Sequence, residues 1–225
     1  MEGNHCFIFG DKKVPGIFFE RGNEVKFKRN QIIYYPEQFI EGIHIISEGI
    51  VENFIYSSKG DSKIFLIFGP GSIIGDGSIL GNLLNPVYYK ASDKVRALYV
   101  RRNTLSDILK TDYSAVEYLM ESMAKKINTL HYQAKFMAFE EVENRLCNTF
   151  IQLAKYCGER NSDNSISLNI KITHQFLSDI LGINRITVSK IAIGLKKQNL
   201  IDFKCGKYII VDIDKLSAYN QLKTD

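Results

Sequence analysis

Residues 172–197 read ITHQFLSDILGINRITVSKIAIGLKK, and no other stretch limits the possible folds as tightly. A glycine at 182 separates two helical patterns, His174 to Leu181 and about Arg185 to Lys197. Thr173 and Asn184 stand just before them, where a side-chain oxygen satisfies amides that a helix start leaves open. Gly182 accepts the left-handed backbone of a tight corner at little cost. Leu177, Ile180, Leu181, Ile183, Val188, Ile191 and Leu195 recur at helical spacing and predict a small shared core. Ser178 is small enough for the second helix to cross closely. The pattern predicts a helix-turn-helix.

That packing leaves an outward row on the second helix: Arg185, Ile186, Thr187, Ser189 and Lys190. A helix of this kind enters the major groove of double-stranded DNA with its N-terminal residues at the base edges. Arginine takes guanine bidentately, and an apolar side chain such as Ile186 meets a thymine methyl. Thr173, Gln175 and Ser189 are placed to hold phosphates, which fixes register without reading sequence. His174 and Asn184 share the same surface. Charge placement agrees. Between Lys171 and Lys207, Lys171, Arg185, Lys190, Lys196, Lys197, Lys204 and Lys207 face only Asp179 and Asp202. Affinity for a polyanion through such a patch falls with salt.

The segment extended to QNLI resembles the DNA-binding motif of the cyclic-AMP receptor protein/FNR (CRP/FNR) family, down to the TVSK and QNLI tetrads. Glu141-Val142-x-x-Arg145-Leu146 is similar to the family's Asp-Val-x-x-Arg-Leu opening of the DNA-binding domain. The resemblance covers nearly the whole chain. It implies a ligand-gated transcription regulator, an activator more than a repressor, with RNA polymerase as a partner.

The rest of the chain is read from its own residues. From Gln31 come short apolar runs with regular turn signals: QIIYY, IHIISEG, VENFIYSS, KIFLIFG and GPGSIIGDGS. Such runs predict a compact antiparallel roll or barrel. Ser47-Glu48-Gly49 and Lys59-Gly60-Asp61 read as hairpin turns, and a last strand spans about Lys94 to Val100. Residues 1 to about 30 are weakly patterned, with Phe18 and Phe19 expected to cover the roll's edge. From Thr111 to Phe139 a long helical pattern follows. Val116, Met120, Met123, Ile127, Leu130, Ala134 and Met137 form an a/d seam, the mark of a two-helix coiled coil. A single helix packed on its own domain is the other reading. No matching intramolecular partner is visible, so a two-fold homodimer is preferred. A helix ending at Cys157-Gly158, a polar loop from Glu159 to Ser165 and a strand from Ser167 to Ile172 come next. After the helix-turn-helix, Asp202 to Val211 reads as a hairpin, or wing.

The expected fold is α+β: an N-terminal antiparallel β-roll, a long dimerisation helix, and a C-terminal winged helix-turn-helix. The boundaries are 1–110 for the sensing roll, 111–139 for the helix and 140–225 for the DNA-binding domain. The resemblance implies that the roll is a jelly roll like the cyclic-nucleotide-binding domain. The DNA partner is then an inverted repeat.

In cyclic-nucleotide members a Gly-rich turn and a Glu hold the ribose phosphate, and an arginine beside Ser or Thr neutralises it. Residues 71–78, GSIIGDGS, resemble that turn, with Asp76 in the acidic place. The arginine pair is missing: the matching position reads Asn85-Pro86, and a phosphate buried there lacks its cation. Leu130-His131 replaces the small hydroxyl pair that meets the nucleobase. The effector is therefore expected to be an unidentified small molecule other than a cyclic nucleotide. Ile74, Gly75, Asp76, Ser78, Tyr88 and Tyr89 would form its pocket, beside Lys125 or, preferably, Lys126. Regulators of halorespiration look similar, with a lysine on this helix and a β-branched residue at the Ile186 position. That similarity implies a small aromatic acid or phenol paired with Lys126.

Other chemistries find little footing. Cys6, Cys147, Cys157 and Cys205 are scattered, whereas an iron–sulfur cluster needs clustered thiolates. A redox role for Cys6 or Cys205 stays open. His5, His44, His131 and His174 stand alone, which opposes haem ligation. A cupin-like metalloenzyme needs several converging histidines and carboxylates, and the roll has His44 alone. No metal site, firm cofactor or catalytic residue is expected. A constitutive regulator with an empty roll remains the alternative. No apolar run approaches the length that spans a bilayer, and the N-terminus lacks a secretory pattern, so a cytoplasmic protein is expected.

Overall fold

A computed structural model describes residues 7–10, 12–168, 170, 172–204 and 206–221. Cys6, Cys205, His5 and Lys171 lie outside the described residues. The chain forms two compact units, residues 1–55 with 64–131, and residues 56–63 with 132–225.

The first unit begins with β1 (Ile8–Phe9), α1 (Gly16–Arg21), β2 (Asn23–Phe27), β3 (Ile32–Tyr34), β4 (Gly42–Glu48), β5 (Val51–Tyr56) and β6 (Ser62–Phe68). It continues through β7 (Ile73–Ile74), α2 (Asp76–Gly81), β8 (Tyr88–Ala91), β9 (Val95–Arg101), α3 (Arg102–Thr111) and α4 (Tyr113–Phe139), which runs on into the second unit. Two sheets face each other, in the orders β2-β9-β4-β7 and β1-β6-β5-β8-β3. Between them Tyr34, Ile46, Val51, Leu66, Phe68, Ile74 and Ala97 fill the roll. On the outer face of the first sheet, Ile43, Ile45 and Ile73 meet Phe18, Leu105, Ile108, Tyr118 and Leu119 from the helices.

Several expectations are corrected here. Ser47-Glu48-Gly49 is no hairpin turn: β4 and β5 belong to different sheets, and this corner carries the chain across. Gly49 has φ +83°, and a Cβ there would meet the Lys94 carbonyl at 2.3 Å, so the corner needs glycine. Lys59-Gly60-Asp61 does close a hairpin, with the Ser57 amide donating to the Asp61 carbonyl at 2.8 Å. The roll is not wholly antiparallel, because β1 pairs with β6 in parallel and stacks Phe9 on Phe68 at 5.6 Å. Phe18 is fully buried, whereas Phe19, one step round the short helix, is 58% exposed. The last strand runs Val95–Arg101, and Thr111 ends α3 instead of opening the long helix. Asp112 makes the break and caps α4, its carboxylate accepting from the Ala115 amide at 3.1 Å.

In the second unit come α5 (Val142–Cys157), β10 (Gly158–Arg160), β11 (Ile166–Leu168), α6 (His174–Leu181), α7 (Arg185–Lys197), β12 (Ile201–Lys204), β13 (Lys207–Ile210) and α8 (Ile213–Gln221). The sheet order is β10-β11-β13-β12. The polar stretch after Gly158 therefore starts as a strand, and among the described residues the strand before the helix-turn-helix covers Ile166–Leu168, with 169 and 171 of the expected Ser167–Ile172 strand outside them. Pairing explains both changes. Gly158–Arg160 finds partners on β11, while β13 meets β11 only at Ile166 and Ser167.

His44, one of the lone histidines, is buried among Phe27, Tyr34 and Tyr99. The Tyr34 hydroxyl donates to the Gly42 carbonyl at 2.6 Å, so Nδ1 of His44 must carry the proton it shares with Tyr34 at 2.7 Å. Burial pushes the His44 pKa down to about 4. The unfolded chain takes up a proton near pH 6.5, which the folded roll resists. The associated stability is complete above pH 6.5 and is lost as pH falls towards 4. At pH 4.5 the loss is about 2–3 kcal/mol. Urea unfolding at pH 7 and pH 4.5 checks this, since His44→Gln should lose less stability by that amount. An equal decline in both proteins would contradict the assignment.

Candidate functional site

The helix-turn-helix forms from local chemistry. Thr173 Oγ1 accepts from the Phe176 amide at 3.0 Å, and Asn184 Oδ1 from the Thr187 amide at 2.8 Å. Gly182 turns the corner at φ +67°, its amide bonded to the Ser178 carbonyl. Leu177, Ile180, Leu181, Val188 and Leu195 are buried, and the Ser178 hydroxyl donates to the Ile183 carbonyl. Ile183 and Ile191 are half-buried, and Ala192 takes the core place instead. Arg145 braces the end of α6 through the Leu181 carbonyl at 3.3 Å.

Arg185, Ile186 and Lys190 are exposed, and Ile186 is 68% accessible, far above what an apolar core residue shows. Ser189 is half-buried between them. The Thr187 hydroxyl is held by the Asn184 cap at 2.9 Å, so both residues serve the helix start. Gln175 donates to Asp179 at 2.9 Å at the exposed edge of α6. His174 lies half-buried against the wing, its ring 6.2 Å from that of Tyr208. The basic patch is partly neutralised. Asp202 pairs with Lys196 at 2.8 Å and with Lys204 at 3.0 Å, and these bonds hold its carboxyl well below the usual range.

The roll unit holds a cavity of about 910 Å³. Phe65 and Leu66 of β6, Leu83, Leu84, Pro86 and Val87 of the loop before β8, and Met123, Ile127 and Leu130 of α4 form its apolar walls. Its polar end holds Asn53, Asp76, Ser78, Tyr89 and Lys126. The structure thus brings Asp76, Ser78, Tyr89 and Lys126 together as expected, and Lys125 is exposed. Gly75 contributes its backbone: left-handed at φ +87°, it opens α2 and its amide reaches Tyr89.

Two expected members are elsewhere. Ile74 is fully buried in the roll core and does not line the cavity. Tyr88 faces outward, stacked on Phe54 at 5.2 Å. Strand alternation is the reason, because successive side chains point to opposite faces. Tyr89 opposes Asn53 on the inner face, and Tyr88 opposes Phe54 on the outer one. Asn53, Phe65 and Leu66 escaped the sequence reading; alternation along β5 could have found Asn53, but Phe65 and Leu66 are neighbours on β6 and no alternation selects both.

Lys126 Nζ donates to Asp76 Oδ1 at 2.6 Å, Asp76 Oδ2 at 2.7 Å and the Ile73 carbonyl at 2.8 Å, and lies 5.3 Å over the Phe68 ring. Both side chains are largely buried. Asn85, where the phosphate-binding cation of cyclic-nucleotide members would stand, turns its amide to the Tyr35 and Val87 carbonyls. Burial holds the Tyr89 hydroxyl above its usual pKa, so it stays protonated beside Asp76.

Along α4 the expected seam is open to solvent in the single chain. Met120 is 66% exposed, and Ile127, Leu130, Met137 and Ala134 are exposed as well. Val116 and Met123 are half-buried. The opposite face carries the buried Ala115, Tyr118 and Leu119. Among the described residues no group of histidines, cysteines and carboxylates is arranged to hold a metal ion. No described helix is long and apolar enough to cross a membrane.

Known proteins share this arrangement. Residues 24–112 match the cyclic nucleotide-binding domain, and residues 144–219 match the Crp-like helix-turn-helix domain. The cAMP-activated global transcriptional regulator CRP of Salmonella typhimurium is 24% identical over 197 residues, covering 83% of this chain and 88% of the relative. Among solved structures, CprK complexed with OCPA superposes with a TM-score of 0.70 at 21% identity, covering 90% of this chain and 91% of that one. CooA from Carboxydothermus hydrogenoformans gives a TM-score of 0.78 at 16% identity, with coverages of 93% and 92%. A cyclic-nucleotide-type roll followed by a capped helix-turn-helix with a wing is the plan of one family of DNA-binding transcription regulators: this chain belongs to the CRP/FNR family.

Proposed function

We propose that the protein is a homodimeric transcription regulator whose DNA binding is gated by a small molecule in the roll cavity. Residues 1–110 sense the effector, residues 111–139 dimerise, and residues 140–225 read DNA. The carrying observation is α7, capped by Asn184 and presenting Arg185, Ile186 and Lys190 to solvent at its N-terminal end. In a two-fold dimer, two such helices enter successive major grooves about 34 Å apart on an inverted repeat. The exposed Met120, Ile127 and Met137 support the dimer, since monomers rarely leave so continuous an apolar row in water.

The cavity supports gating over a constitutive regulator, and its lining argues against a cyclic nucleotide. Asn85 is turned away, and the one cation among the described lining residues is already paired. The expected pairing of an ionised aromatic acid or phenol with Lys126 is opposed by Asp76, which already holds that cation. Effector occupancy acts on DNA through α4, whose residues Met123, Lys126 and Ile127 line the cavity. The resemblance favours an activator that meets RNA polymerase in the cytoplasm.

Arg185→Ala tests the reading. It should lose discrimination at one base pair per half-site, worth about 1–3 kcal/mol in titrations against operator variants. Lys190→Ala should weaken all sequences alike and lower the salt slope by about one. Unchanged affinity and selectivity in Arg185→Ala would place the reading surface elsewhere.

A further inference from the structure

We propose that the roll cavity takes an uncharged, mainly apolar ligand with one hydrogen-bonding head, and that the Asp76–Lys126 pair excludes carboxylates and phenolates. This rests on the reading of the cavity as an effector site. An ammonium group has three protons to donate. Lys126 lies within hydrogen-bond distance of both Asp76 oxygens and of the Ile73 carbonyl, at 2.6, 2.7 and 2.8 Å, so its charge is already matched by a carboxylate and its ammonium is drawn to that side. The Asp76 side chain is 3% exposed and that of Lys126 13%, which keeps water from screening either charge. An anionic ligand must therefore draw a proton away from Asp76, or make one cation serve two carboxylates. Both arrangements leave negative charge short of a partner in a low-dielectric site, which is strongly unfavourable.

The uncharged groups at this end suit a neutral head. Tyr89 accepts from the Asn53 side chain and the Gly75 amide, which leaves its own proton for a ligand oxygen. Ser78 adds a hydroxyl beside it. The size sets the body. At about 910 Å³ the cavity is at the upper end of small-molecule sites, so a single ring would leave most of it empty. Phe65, Leu66, Leu83, Val87, Met123 and Ile127 offer only apolar surface to what extends beyond the head.

The test is calorimetric titration of the full chain near pH 7 with 4-hexylphenol, 4-hexylbenzyl alcohol and 4-hexylbenzoate, which share a body and differ in head charge. The two neutral probes should bind, and the benzoate at least about tenfold more weakly. In Asp76→Asn, Lys126 is left without its counter-charge and the benzoate should become the preferred probe. Should that variant not fold, the wild-type series decides alone. Benzoate binding to the wild type as tightly as the neutral probes, or more tightly, overturns the inference while the effector site stands. If no probe binds and none raises the Tm, the effector reading itself fails, and the inference with it.

Discussion

Met120→Asp is expected to convert the proposed dimer to a monomer and to weaken binding to a two-half-site operator by about a hundredfold or more. The substitution falls on the α4 face that is open in the single chain, where Met120 is 66%, Met137 54% and Ile127 50% exposed. Burying such side chains against a two-fold copy contributes roughly 1.5–3 kcal/mol each. An aspartate removes that contribution and, by symmetry, sets two like charges near each other in the seam. The roll should be unaffected, because Ala115, Tyr118 and Leu119 hold α4 to it from the other face. Met120 also lies outside the effector cavity. Light scattering reads the oligomeric state, a thermal melt the intact roll, and titration of the two-half-site operator the loss of affinity. A variant that stays dimeric would remove the seam as the interface, and a monomer with undiminished operator affinity would remove bivalent reading.

Lys126→Met should cost about 3–5 kcal/mol of stability, since it leaves the Asp76 carboxylate buried without its cation. The geometry makes the effect large. Asp76 receives two hydrogen bonds from Lys126, and its side chain is 97% shielded by the fold, being 3% exposed. Adding Asp76→Asn removes the stranded charge, so the double variant should recover most of the loss. The non-additivity itself is the diagnostic. Urea unfolding of the four proteins gives the cycle directly. If Lys126→Met costs under about 1 kcal/mol, the pair is hydrated and the case against anionic effectors loses its foundation.

What was legible in the sequence followed the range of the interactions. Thr173, Gly182 and Asn184 act on amides and dihedrals within three residues, so both helix boundaries could be read from the letters. The apolar row along α4 was equally legible as a spacing, because that is internal to one helix; its covering by a second copy is a proposal. Gly49 marks a sharp corner whether the chain returns in the same sheet or crosses to the other, so a crossing read as a hairpin. Tyr88 and Tyr89 look interchangeable until the pairing with β5 decides which of them faces inward. Asp76 and Lys126 are 50 residues apart, and only the fold reveals that each is the other's partner. The helices α1 and α2 have six residues each, too few for a periodic signal, and neither was expected.

The central claim is that two copies of α7, held by the α4 seam, read one inverted repeat. Selection of binding sites from a random-sequence DNA pool by the purified protein, with the effector pocket loaded or empty, tests it most directly. The account predicts enriched sites with two-fold symmetry, half-sites about 10 base pairs apart centre to centre, and two protein chains per duplex. Enrichment of single half-sites or direct repeats, bound by one chain, would contradict it.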